Sequence, residues 1–223
     1  MSTSASVTPE SRSTKPAPWW EIVIIIALYL IIGFIMPSLK QILAVPLIIY
    51  MIVEGLLRHR TWADFGFNLR SIPSGLFKTL GWILLVVIGT QALYAIGAKL
   101  FLPEVFTHLI ARIPLDISAI SVSLLITLAI ATFLEEVIFR GLFQNRLSML
   151  LNPMVAIVVT SLVFAVAHFS AGPTIVVIFD LVGVFIDSVI FGIIFQRSRN
   201  VFVSWSAHYL ADIVGIILIM MLR

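Results

Sequence analysis

The chain has 223 residues, of which 61% are hydrophobic and only 11% charged, and its formal net charge is +3. A soluble domain carries about 25% charged residues, so this composition makes the lipid bilayer the solvent and excludes an ordinary water-soluble fold. The absence of cysteine excludes disulfides, thiol nucleophiles and thiolate metal sites, while basic residues scattered between apolar runs, with no basic stripe, exclude nucleic acid as a partner.

Residues 1–18 are rich in Ser, Thr and Pro and too poor in large apolar side chains to offset the entropy of ordering, so a disordered cytoplasmic tail is expected. Seven apolar runs follow, at about 19–36, 39–57, 76–102, 117–143, 153–169, 174–195 and 201–222. They predict an all-α polytopic membrane helix bundle of about seven transmembrane helices. The first run is too long for a signal-peptide core and lacks an A-x-A site, so it reads as a retained span. Pro37, Pro103, Pro153 and Pro173 mark breaks, and Pro46 is expected to kink the second span. Between the second and third spans, 58–75 mixes Trp62, Phe65 and Phe67 with Arg58, Arg60 and Arg70, the pattern of a segment lying along the interface.

With seven spans, one side of the membrane collects ten arginines and lysines, among them Arg58, Arg60, Arg70, Arg146, Arg197 and Arg199, and the other collects Lys40, Lys99, Arg112 and Arg223. The bias places the N-terminus in the cytoplasm, in a multi-pass protein of the cell membrane. Residues 19–116 hold ionisable groups only near span ends, such as Glu21, Glu54 and Lys99, and read as scaffold. His59 and His108 fall in loops, where a solvated side chain is expected. Residues 117–222 hold Glu135, Glu136, Arg140, His168, Asp180, Asp187, His208 and Asp212 inside apolar runs, and an ionisable residue there reads as a site.

Around a helix Glu136 and Arg140 are about 40° apart and can form an ion pair, whereas Glu135 points about 100° from Glu136 and is left to face something else. Measured from the same membrane face, Glu135 lies ~16 Å deep, His168 ~22 Å and His208 ~12 Å, so the three meet in one slab. A carboxylate, two imidazoles and a further polar group can activate water and stabilise an oxyanion, the minimum for cleaving an amide.

Glu135-Glu136-Val-Ile-Phe-Arg140 reads as EExxxR, Phe164-Ala-Val-Ala-His168 as FxxxH and His208-Tyr-Leu-Ala-Asp212 as HxxxD. In that order they resemble the three motifs of the CAAX protease and bacteriocin-processing family of intramembrane endopeptidases. The resemblance covers about 117–222 and implies an endopeptidase acting on a membrane-associated or lipidated peptide or protein. It implies that Glu135 and His168 activate water, that His208 and Asp212 face the oxyanion, and that Glu136 and Arg140 support the first Glu. Many relatives carry Asn where this chain has Asp212, and an ionised Asp cannot donate a hydrogen bond, so Asp212 is open to orienting His208, holding a metal or being protonated. The family has been labelled both metalloprotease and glutamate-dependent. Glu135, His168 and His208 are the candidate ligands of a divalent metal such as zinc, against a metal-free Glu–His mechanism.

Asp180 and Asp187, seven apart on one helix face, read either as helix packing and the lining of a wet cavity or as a second polar wall. The same cluster would also suit a non-catalytic membrane protein, such as a bacteriocin self-immunity factor, a sensor or a proton-coupled transporter.

Overall fold

The computed structural model describes residues 18–36, 42–113 and 119–223. The expected tail lies outside them except for Pro18, as do Pro37, Lys40 and the start of the fourth expected span. The described chain is helical throughout, with no strand among these residues.

Helix α1 covers Trp19–Ile35 and α2 covers Ala44–Leu57. Two short 3₁₀ turns, Trp62–Phe65 and Leu69–Ser71, lead into α3 (Ile72–Leu84), which runs through a π-helical segment, Leu85–Thr90, into α4 (Gln91–Phe101). Helix α5, Pro103–Arg112, precedes α6 (Val122–Glu136), and a second π segment, Val137–Gln144, carries that helix into α7 (Asn145–Leu147). Helices α8 (Pro153–Ala167), α9 (Thr174–Ser198) and α10 (Val201–Leu222) complete the chain. Among the described residues, four stretches are long and apolar enough to cross a membrane: Leu69–Phe101, Val122–Leu147, Thr174–Ser198 and Val201–Leu222. With the shorter apolar helices α1, α2 and α8 they correspond to the seven expected runs.

Capping residues set several of the boundaries. Ser121 Oγ accepts from the Leu124 amide at 3.1 Å, Asn152 Oδ1 from Met154 at 2.9 Å and Asn200 Oδ1 from Phe202 at 2.9 Å, each satisfying an otherwise orphaned donor of the first turn. Pro153 and Pro103 stand at first helical positions, where a missing N–H is harmless.

Helix α5 departs from the expected loop. Its ten residues are about 15 Å long, too short to cross a bilayer. Val105, Phe106 and Leu109 are buried in a cluster with Leu124 and Leu128 of α6, Val176 of α9, and Ile216 and Ile219 of α10. His108 is carried inward with them. Its Nε2 lies 3.6 Å from Asp180 Oδ2, so the expected solvated histidine is instead part of a helix junction.

The connections gather on two opposite faces. On one, Asn145 Nδ2 donates to the Asp64 carbonyl at 2.6 Å, Arg199 donates to Asn145 Oδ1 at 3.1 Å, and Asn200 Nδ2 donates to the Asn68 carbonyl at 2.6 Å. The segment expected along the interface is thus bonded under the ends of α7 and α9. Gly66, at φ 91°, permits the approach, since a Cβ there would stand 2.7 Å from the Phe195 ring. On the other face Phe169 meets Phe34 at 5.8 Å, and His108 packs beside Gly172.

Charge reinforces the first of these faces. Glu54, 3% exposed, receives Arg146 at 2.6 Å and Arg60 at 3.3 Å, with Arg58 at 3.8 Å. Arg58 also clasps Glu21 at 2.6 Å, and Tyr50 donates to the same carboxylate at 3.0 Å. Helices α1, α2 and α7 are thereby tied by ion pairs at the end of the bundle, where burial makes each partner depend on the other.

Candidate active site

The FxxxH spacing has a local cause. Helix α8 ends at His168, whose ring Nδ1 lies 2.8 Å from the Phe164 carbonyl, the same carbonyl that accepts from the His168 amide at 3.2 Å. A carbonyl only accepts, so Nδ1 carries the proton and Nε2 is turned outward, 3.7 Å from Glu135 Oε1. His208 is anchored in the same sense. Its Nδ1 lies 3.0 Å from Glu136 Oε1, and its Nε2 lies 3.8 Å from Glu135 Oε2 and 3.8 Å from Asp212 Oδ1. The Glu135 carboxylate therefore stands between the two Nε2 atoms, one oxygen toward each.

Behind this edge lies a fully buried wall. Glu136 accepts from the Ser204 hydroxyl and pairs with Arg140 Nε at 3.4 Å, the i,i+4 pairing expected from the sequence, here formed inside a π-helical stretch. Arg140 donates to Ser188 Oγ at 3.1 Å and to the Ser188 carbonyl at 3.2 Å. Glu136 is bonded to His208, Ser204 and Arg140, so the support it lends Glu135 runs through His208 and the shared backbone.

Aromatic rings join the wall to the histidines. The Arg140 guanidinium lies 5.3 Å from the Phe164 ring and 5.9 Å from the Phe191 ring, within cation–π range of both. Phe164 in turn lies against His168 at 4.3 Å, and Phe191 is stacked on His208 at 4.5 Å.

Exposure separates wall from working edge. The side chains of Glu136 and Arg140 are 0% exposed and His208 is 7% exposed, whereas His168 is 25%, Glu135 33% and Asp212 40% exposed. Glu135 and Asp212 stand at the open edge of the cluster while the groups that orient them are buried, the arrangement a general base needs.

Residues 117–214, which hold this constellation, match the family model described as Rce1-like, type II CAAX prenyl endopeptidase. This segment is similar to that family. No curated protein and no solved structure matches the chain.

Within the Rce1-like segment the expected residues Glu135, Glu136, Arg140, Phe164, His168, His208 and Asp212 are brought together. Asp180 and Asp187 both face the third span, with different partners. Asp180 is buried beside His108 and Tyr94, and Asp187 is bonded to Thr90 and Gln91. Sequence reading missed Ser188, Phe191 and Ser204. Ser204 stands four before His208 on the same helix face, and Ser188 supplies acceptors to a buried guanidinium that has five donors to satisfy, so both left a signal. Phe191 left none, being one ring in an apolar run. Among the described residues no group of three or more His, Asp or Glu side chains is arranged to hold a metal ion.

Proposed function

We propose that the chain is an intramembrane endopeptidase that hydrolyses a peptide bond of a membrane-associated or prenylated substrate by a Glu–His mechanism. The observation that carries this reading is the placing of one half-exposed carboxylate, Glu135, between two imidazoles whose Nδ1 atoms are both committed elsewhere. The Rce1-like match supports the endopeptidase class independently of that geometry.

In the proposed reaction Glu135 takes a proton from water, with His168 Nε2 orienting it, and the oxygen attacks the scissile carbonyl carbon. The carbonyl oxygen gains the negative charge. His208, protonated on both nitrogens, donates from Nε2 to that oxygen while Glu136 holds Nδ1 and Asp212 balances the ring's charge from the open side. This gives Asp212 an orienting role consistent with its carboxylate being unable to donate. Collapse of the tetrahedral species breaks the C–N bond, and the proton held by Glu135 passes to the leaving amine. The separations of 3.7 and 3.8 Å exceed a hydrogen bond and are of the kind that tightens once substrate is bound. Each step is supplied by protein side chains and water.

The division of labour in this reading assigns 117–222 to catalysis and 19–116 to support. The face carrying 58–71 and the α9–α10 corner is cytoplasmic, since it holds Arg58, Arg60, Arg70, Arg146, Arg197 and Arg199. The N-terminus then lies in the cytoplasm, and the protein resides in the cell membrane.

The test is cleavage of an internally quenched prenylated CAAX peptide by the purified full chain. Glu135→Ala and His168→Ala are each expected to abolish cleavage while leaving the protein inserted and folded, as judged by detergent melting. Full activity in either variant would reject the mechanism.

A further inference from the structure

Asp187 sits on α9 next to Ser188, the residue that receives Arg140, but its own partners come from outside the Rce1-like segment. Thr90 Oγ1 lies 2.7 Å from Asp187 Oδ1, and Gln91 Nε2 donates to Oδ2 at 2.8 Å, so each oxygen of the carboxylate is held by a different residue. Both partners stand where the first π segment ends and α4 begins. A π turn holds more residues than an α turn, so it swings the following side chains round relative to an uninterrupted helix, and here that turn presents Thr90 and Gln91 together to α9. Gln91 is itself seated against α10. A Cβ on Gly215 would stand 2.8 Å from Gln91 Oε1, so the close approach depends on the glycine three residues after Asp212.

The charge so fixed is felt at the working edge. Asp212 and His208, both on α10, are ionisable groups that interact with Asp187, while Thr90 and Gln91 on the facing side are neutral. A carboxylate clamped at this position repels Asp212 when both are ionised, and attracts the His208 ring when that ring is cationic. In a low-dielectric interior such a charge acts more strongly than it would in water.

We infer that Asp187, clamped by Thr90 and Gln91, is a positioning residue for the His208–Asp212 end of the site, an inference that rests on the Glu–His reading above. The helix of the third span is then an arm of the catalytic apparatus, and the site extends beyond 117–214 into the half that composition alone reads as scaffold.

Steady-state cleavage of the prenylated peptide by the purified full chain separates this role from simple packing. Asp187→Asn keeps the shape but removes the charge and one accepting oxygen, since an amide NH2 cannot accept from Gln91 Nε2, and it is expected to lower kcat about tenfold, the size of one lost charge-assisted contact, with KM and the detergent melting temperature unchanged. Thr90→Val loosens the clamp and is expected to lower kcat by a smaller factor, and Thr90→Ser, which keeps the hydroxyl, restores it. Wild-type kcat in Asp187→Asn overturns the inference, as does a rate loss that tracks a loss of melting temperature and is not restored in Thr90→Ser. Glu135→Gln in the same assay distinguishes the two levels. An active Glu135→Gln removes the Glu–His reading itself, whereas an inactive one beside an unaffected Asp187→Asn removes only the role of Asp187.

Discussion

The Phe191 ring lies face to face with the His208 imidazole, 4.5 Å between centroids and 23° between planes. Phe164 covers His168 in a similar way, and Arg140 stands between the two phenylalanines. Both imidazoles thus lie against rings that share one buried cation, His208 stacked and His168 tilted by 32°. Phe191→Leu keeps the site apolar but removes the stacking face, worth about 0.5–1.5 kcal/mol beyond area burial. A fall in kcat of roughly three- to tenfold is expected, larger than the change in KM. An unchanged kcat would show that the Glu136 hydrogen bond alone fixes the ring.

Glu136 is buried with three partners, His208, Ser204 and Arg140. Glu136→Gln leaves the Arg140 charge without its counter-ion, and removing one member of a buried pair costs about 3–5 kcal/mol. Thermal unfolding in detergent should fall accordingly. The double variant Glu136→Gln with Arg140→Met is expected to recover part of the stability but none of the activity, and equal melting of single and double variants would show that the pair is not coupled.

Glu54 offers a contrast far from the chemistry. Glu54→Gln strands Arg146 and Arg60 at the end of the bundle, and a loss of about 2–4 kcal/mol in stability is expected. The protein that remains folded should cleave peptide with near wild-type KM and kcat. A selective loss of kcat at full stability would mean that this cluster acts on the site.

Because the chain lacks cysteine, single thiols report orientation without background. Ala63 and Ala171 are both exposed, one on each face of the bundle. In intact cells a membrane-impermeant thiol reagent is expected to label Ala171→Cys and not Ala63→Cys, with both labelled after lysis. The opposite pattern inverts the assigned topology.

A mechanism that needs only Glu135, two histidines and water is expected to survive exhaustive treatment with a metal chelator, with elemental analysis of the active protein showing no stoichiometric metal. Loss of cleavage on chelation, restored by one equivalent of zinc, would move Glu135 from base to ligand.

The cluster itself was legible because ionisable residues are conspicuous in a lipid-facing sequence. Glu135, His168, His208 and Asp212 stood out one by one, and rise per residue sufficed to bring them to one depth. The π segments were not legible. An extra residue per turn leaves the composition of an apolar run unchanged, so nothing marked Thr90 and Gln91 as turned toward α9. Helix α5 left a fainter trace, with Pro103 at its first position and Glu104 in its first turn, but its ten residues fell below the length that hydropathy reads. Arg60 and Arg146 were counted as surface charges for topology, although their partner Glu54 was visible, because charge counting carries no information on burial. Phe191 shows the deepest limit: in a chain this rich in apolar side chains, a ring that steers an imidazole looks like every ring that merely fills space.

His168 closes the end of α8 with the same nitrogen whose proton turns its other nitrogen toward Glu135. One residue thus serves both architecture and turnover, and selection for a well-finished helix would retain it even after cleavage was abandoned. A descendant that had lost its enzymatic trade would be expected to keep this histidine and shed Glu135 first, so the acid, not the imidazole, is the better marker of a working relative.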